Sequence, residues 1–178
     1  MKISDLKINY KSLFSQFETK STAVISLCGR YRYSLTRRWD SNKPTLLFIM
    51  LNPSTADAWE NDPTIIRCIT YANDWGYGEL NVVNLFGWMD SNPEGLFVTD
   101  DPIGRDNVCH IIAAVRKADL IICAWGNYPI IKKLSTEKQL QAIRSFGKPV
   151  HCLELSIDGI PKHPLYLLKS LKPILYEI

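Results

Sequence analysis

Apolar residues in this chain gather into short unbroken runs that stop at polar turns. Thr45-Leu46-Leu47-Phe48-Ile49-Met50-Leu51 is followed at once by Asn52-Pro53-Ser54-Thr55-Ala56-Asp57. An apolar run of this length bounded by turn residues reads as a fully buried strand. Three more runs have the same form: Leu80 to Phe86, Leu120 to Trp125 and Val150 to Leu155. Between them the spacing turns helical. Asp62-Pro63 offers an N-cap followed by proline at the first helical position, and Ile65, Ile66, Ile69 and Ala72 then recur on one face. A second helix is predicted from about Asn107 to Lys117, with Ile111, Ile112 and Val115 inward, and a third from Thr136 to about Phe146. Ahead of these, Thr22 to Leu35 reads as one or two antiparallel strands, and residues 1 to 20 as a short amphipathic lead-in.

Strands that alternate with helices imply parallel β-α units and a sheet covered on both faces. The expected fold is therefore a single three-layer α/β/α sandwich around a short, mainly parallel central sheet, with an N-terminal antiparallel extension. Its first, third and fourth core strands should be mutually parallel. A chain of 178 residues with 46% hydrophobic content can bury such a core without a metal or a disulfide. No apolar run approaches the roughly 20 residues needed to cross a bilayer, and the first residues lack a signal-peptide apolar region, so a cytoplasmic protein without membrane attachment is expected. Cys28, Cys68, Cys109, Cys123 and Cys152 form no C-x-x-C pair, and His110, His151 and His163 have no metal-ligand spacing. Reduced cysteines, no metal and no cofactor are the expectation.

Loops that leave the carboxyl ends of parallel strands converge on one edge of a sheet, where ligands bind. Four such loops here are polar. The first carries Asn52, Ser54, Thr55 and Asp57; the second places Asn84 beside Phe86 and Trp88; the third is Trp125-Gly126-Asn127; the fourth runs from Asp158 through His163 to Tyr166. Each has a plain alternative, since Asn, Pro, Ser and Asp are ordinary turn formers and a lone histidine is most often structural. Their convergence is what favours a site. The net charge of +3 is too small to establish nucleic-acid binding. Arg30, Arg32, Arg37 and Arg38 are nevertheless interleaved with Tyr31, Tyr33 and Trp39, as suits a surface that holds phosphates and stacks bases. The alternative is an edge hairpin with charges on one solvated face and rings on the other.

Two resemblances bear on these residues. From about Tyr31 to Tyr166 the chain resembles the family known as domain of unknown function 1643. The resembling segments are Leu51 to Asp57, Asp62-Pro63-Thr64, Val83-Asn84-Leu85-Phe86, Pro102 to Asn107, Ala124-Trp125-Gly126 and Gly159 to Leu165. More distantly, the order of motifs is similar to the uracil-DNA glycosylase superfamily, a three-layer α/β/α fold. Its mismatch-specific branch carries Gly-Ile-Asn-Pro-Gly after the first core strand, over which Met50-Leu51-Asn52-Pro53-Ser54 can be laid, with Asn52 on the catalytic amide. That resemblance implies a base-reading role for Asn84 and lays His163-Pro164-Leu165 over a late His-Pro-Ser loop. Both motif glycines are replaced, by Met50 and Ser54, and Leu165 takes the serine position. Glycine permits close approach of a ligand to the backbone, so excision of uracil from duplex DNA is not what these replacements favour.

Cleavage of an N-glycosidic bond needs a water positioner or base on one side and donors to the departing base on the other. Asn52 would orient water, Asp57 would supply basicity, and His163 would donate to the developing oxyanion. Asn84 offers both a donor and an acceptor to a ring edge, with Ser54 and Thr55 beside it. Phe86, Trp88 or Trp125 would supply a stacking wall. Arg30, Arg32, Arg37 and Arg38 would hold phosphates of a single-stranded or free nucleotide. The competing class is a module that captures a nucleobase or nucleotide without cleaving it, because recognition pockets use the same residue types. A third class, a protein-interaction domain without a small-molecule site, leaves the polar loops unexplained.

Overall fold

The computed structural model describes residues 20–54 and 61–178. Strands β1 (Lys20–Ile25) and β2 (Arg32–Arg38) form an antiparallel hairpin, and β3 (Thr45–Met50) leads to helix α1 (Pro63–Asp74) and strand β4 (Glu79–Asn84). Helix α2 (Asn107–Lys117), strand β5 (Leu120–Cys123), helices α3 (Pro129–Lys133) and α4 (Glu137–Arg144), and strands β6 (His151–Cys152) and β7 (Ile174–Leu175) follow. The strands make one seven-stranded sheet in the order β1-β2-β4-β3-β5-β6-β7. Its four central strands are parallel, and antiparallel strands flank them on both sides.

The alternation of side chains along β3 explains how one strand serves two cores. Leu47 and Ile49 join a cluster with Val83, Ile121, Cys123 and the inward faces of α2 and α4, through Ile111, Val115 and Ile143. Leu46, Phe48 and Met50 join a separate cluster with Leu80, Val82, Ile122 and the face of α1 that carries Ile65, Ile69 and Ala72. All six residues of β3 are buried, and so are all six of β4. Burial on both sides is why these runs are continuously apolar rather than alternating.

Helix α1 begins where the sequence predicts. The Asp62 carboxylate accepts the Ile65 backbone N–H at 2.8 Å, and Pro63 takes the first helical position, where no N–H is needed. It ends at Gly76, whose φ of +84° is the left-handed conformation that closes a helix, with the Tyr77 N–H donating to the Ala72 carbonyl at 2.8 Å. Asp119 ties the starts of β3 and β5 together, its carboxylate accepting the Thr45 N–H at 2.8 Å and its own N–H donating to the Thr45 carbonyl at 3.0 Å.

Three expectations change. The run from Val150 to Leu155 yields only the two-residue β6, because the chain turns back at Leu155 to bridge Pro161 and cannot continue alongside β5. Strand β7 supplies an antiparallel neighbour to β6 that no apolar run announces. Strand β2 is interior, lying between β1 and β4, so its arginines do not line a solvated edge. The predicted lead-in over residues 1 to 20 lies almost entirely outside the described residues, as do Thr55 and Asp57.

Candidate functional site

Strands β3 and β4 run parallel with Met50 opposite Asn84, so Asn52 and Asn84 leave the same edge of the sheet. There the structure has a cleft of about 200 Å³ lined by Arg32, Asn52, Ser54, Asn84 and His163, with Met50 and Val82 beneath. Helix α1 forms one side through Asp62, Thr64 and Ile65. Tyr128, after β5, and Tyr166 complete the rim.

Asn52 is held by the loop that follows β4. Its Nδ2 donates to the Asp90 carbonyl at 2.8 Å and to the Pro53 carbonyl at 3.3 Å, while the Asp90 N–H donates back to the Pro53 carbonyl at 3.0 Å. Two carbonyls on one end of the amide identify that end as nitrogen. Oδ1, an acceptor, is what Asn52 offers to the cleft. Asn84 is 2% exposed, and its side-chain amide makes no hydrogen bond among the described residues. A buried amide normally finds partners. Its backbone, by contrast, is firmly seated: fully buried Asn107 donates Nδ2 to the carbonyls of Asn84 and Leu85, both at 3.0 Å, and fully buried Gln139 donates to Leu85 at 3.0 Å.

Ser54 and Asp62 close the base of the loop between them, the Ser54 hydroxyl donating to the Asp62 carboxylate at 2.9 Å. Asp62 therefore serves three ends: cap of α1, clasp of the loop, and, with Asp90, a carboxylate lining the cleft. Burial lowers the pKa of the Arg32 guanidinium, Asp62 opposing that shift and Arg37 adding to it. His163 precedes the short 3-10 turn Pro164–Tyr166 and caps it, Nδ1 accepting the Leu165 N–H at 3.4 Å. Burial also holds the His163 imidazole below its ordinary range, against the pull of Asp62. A neutral ring with Nδ1 as acceptor carries its proton on Nε2. The loop that carries His163 is fixed from two directions. The Tyr71 hydroxyl of α1 donates to the Leu168 carbonyl at 2.8 Å, and the Gly126 N–H donates to the Pro161 carbonyl at 2.9 Å.

Several residues singled out from the sequence stand elsewhere. Trp125 is buried in the core on the α2 and α4 side, edge-on to Tyr176, because the pleat that points Asn84 toward the cleft points Trp125 to the opposite face. Phe86 is fully buried in the same core. Trp88 packs edge-on against Tyr31 beneath the Arg30 guanidinium, 5.6 Å from the ring centre. None of the three lines the cleft. Arg37 is 1% exposed and donates Nε to Asn61 at 2.9 Å, and Arg38 pairs with the buried Glu79 carboxylate at 2.9 Å, which Lys117 also contacts. Of the four arginines, Arg32 alone reaches the cleft. The aromatic walls of the cleft are Tyr128 and Tyr166, which the apolar-run reading passed over because neither ends a strand. Their position in loops at the carboxyl edge was the available signal.

Cys28 and Cys109 are exposed and the other three cysteines buried, all as free thiols. Among the described residues no cluster of three His, Cys, Asp or Glu could hold a metal, and no helix is long and apolar enough to cross a membrane. Comparison with curated proteins and with solved structures finds no match. A family model does match, from residue 32 to residue 165, which includes every described residue argued above to shape the cleft save Tyr166. The chain belongs to the family described as protein of unknown function (DUF1643).

Proposed function

We propose that this cleft recognises a nucleobase and that its reaction is hydrolysis of the N-glycosidic bond of a modified or unusual base. The observation that carries the reading is Asn84: a strand-end amide that makes no hydrogen bond among the described residues and opens on the same cleft as the Asn52 oxygen and a histidine whose pKa burial lowers. An amide open to the cleft presents a donor and an acceptor side by side, which a ligand with the complementary pair would satisfy. Asn52 Oδ1 accepts a hydrogen bond from water and so orients it, the amide being held in place by the Asp90 carbonyl. His163 Nε2–H donates to the oxygen of the departing base. Tyr128 offers the ring face against which an extruded or free base stacks. Arg32 supplies positive charge where the departing base becomes anionic. Helices against both faces of the sheet, with the two asparagines at its carboxyl edge, support a three-layer organisation of the uracil-DNA glycosylase kind.

One observation favours capture without cleavage. Of the two described carboxylates that line the cleft, Asp62 already accepts hydrogen bonds on both oxygens, from Ser54 and Ile65, and Asp90 accepts the Asn92 N–H on Oδ1. The test is to incubate wild type, Asn52→Ala and Asn84→Ala with single-stranded DNA and nucleotides bearing normal and modified bases, following bound ligand and free base together. Release by wild type that both variants lose supports hydrolysis. Binding that depends on Asn84 with no release by any variant assigns capture, and no binding by folded wild type overturns the reading.

A further inference from the structure

The cleft does not end at Tyr128. A second groove of about 350 Å³ adjoins the first and shares Tyr128 and Pro93 with it. Its remaining walls include Phe97, Pro129, Glu94 and Lys133. Two of these features are unusual for a surface with no partner. Phe97 is 45% exposed and Tyr128 37% exposed, so two aromatic rings line the groove with much of their area in water. The Lys133 ammonium stands 5.2 Å from the centre of the Phe97 ring and makes no ion pair among the described residues. Aromatic faces beside a cation with no ion pair among the described residues, in a groove adjoining a base-sized cleft, are the elements with which proteins hold single-stranded nucleic acid.

We infer that the groove between Phe97 and Tyr128 seats the base next to the one in the main cleft, with Lys133 on the intervening phosphate, so that the substrate is a single-stranded polynucleotide rather than a free nucleotide. This rests on the reading of the main cleft as a nucleobase site, and it names the class of substrate that site takes. Tyr128 is the partition, one side facing each base. The contribution is insensitive to sequence, because every base has a stacking face. Glu94, at the start of the 3-10 turn Pro93–Phe97, adds an acceptor for the exocyclic amino groups of adenine, cytosine or guanine.

The experiment compares equilibrium binding of DNA mononucleotides and dinucleotides, with the preferred base at either end of the dinucleotide, to wild type, Phe97→Ala and Lys133→Ala. Stacking of a second base on exposed rings predicts at least a roughly fivefold gain of dinucleotide over mononucleotide in one of the two orders. Phe97→Ala and Lys133→Ala should each reduce that gain while leaving mononucleotide affinity as it was. Lys133→Ala should also flatten the salt dependence of dinucleotide binding by about one counterion. Equal affinity for both ligands in wild type, or a gain that survives Phe97→Ala, overturns the second subsite while leaving the nucleobase cleft standing. Failure of every mononucleotide and dinucleotide to bind overturns both.

Discussion

The amide of Asn107 is the most exacting place to test how the cleft is built. It is fully buried and directs its two N–H bonds at the carbonyls of Asn84 and Leu85, 3.0 Å away in each case. Asn107→Ala removes both donors and leaves a small void. Gln139 still donates to Leu85, so the loss falls mainly at Asn84, the residue whose side chain faces the cleft. At about 1 kcal/mol per hydrogen bond, with a further 1–2 kcal/mol for a carbonyl left short of partners, the expected destabilisation is about 2–4 kcal/mol. For a chain of this length that lowers the melting temperature by roughly 5–15 °C. Urea unfolding followed by tryptophan fluorescence gives the free energy, and nucleotide binding to the folded variant gives the effect on Asn84. Asn107→Asp separates geometry from size. It keeps the shape but turns an oxygen toward two carbonyl oxygens, so its carboxyl will ionise with difficulty in the fold. The folded pKa then lies above the unfolded one, and the penalty is smallest at low pH and grows as pH rises through the folded value. A loss under about 1 kcal/mol for Asn107→Ala, or a penalty for Asn107→Asp that shrinks as pH rises, would refute the argument.

Three further expectations follow from the charges and thiols. The Glu79 carboxylate is 1% exposed while its partners Arg38 and Lys117 are about half in water, so removing both cations (Arg38→Met with Lys117→Met) should cost about 3–5 kcal/mol and Glu79→Gln much less; equal losses in urea unfolding would contradict this. His163 has its pKa lowered by burial, so the unfolded chain takes up its proton first as pH falls. The stability it contributes is complete above its unfolded pKa near 6.5 and is lost as pH drops through the folded value, a dependence that His163→Asn should remove from the acid arm of an unfolding series. An NMR titration that places His163 above 6.5 would reverse the assignment. Cys28, exposed beside Ser26 and Arg30, has its pKa lowered to about 7, chiefly by the Ser26 hydroxyl. It should be the first thiol alkylated at neutral pH, with Ser26→Ala slowing it and Cys68, Cys123 and Cys152 unreactive until unfolding.

What the sequence disclosed and what it hid divide along physical lines. The core strands at Leu46, Leu80 and Leu120 were legible because burial on both faces forces an unbroken apolar run. Helix α1 was legible from its cap and spacing and α2 from spacing alone; the predicted bounds of α2 match the observed Asn107–Lys117, while Ile112, expected inward, is exposed. Gathering of Asn52, Asn84 and His163 at one edge followed from the parallel order of the strands alone. Strand β7 and helix α3 are too short to show a period, and β7 is exposed on the sheet's flank. The aromatic assignments strayed because an apolar side chain at a strand end belongs to whichever face its position dictates. Counting by twos from Ile122 would have placed Ala124, not Trp125, on the Asn84 side. The arginines strayed for a related reason: alternation along β2 marks an edge only if the strand is one, and a pairing with β4 far along the chain put Arg37 inside.

The cleft draws on β2, on the segments that follow β3 and β4, on α1 and on the turn that begins at His163. No two consecutive elements contain it. A chain that has formed only part of its sheet lacks part of that lining, so a molecule that binds there as proposed would select the completed fold over partly folded ones. Occupancy then becomes a thermodynamic clamp on the whole sheet: at a hundredfold excess over its dissociation constant a ligand adds about 2.7 kcal/mol to global stability. That gain should appear as slowed amide hydrogen exchange in β4 and β5 alike, including Ile121 and Ile122, which line no part of the cleft.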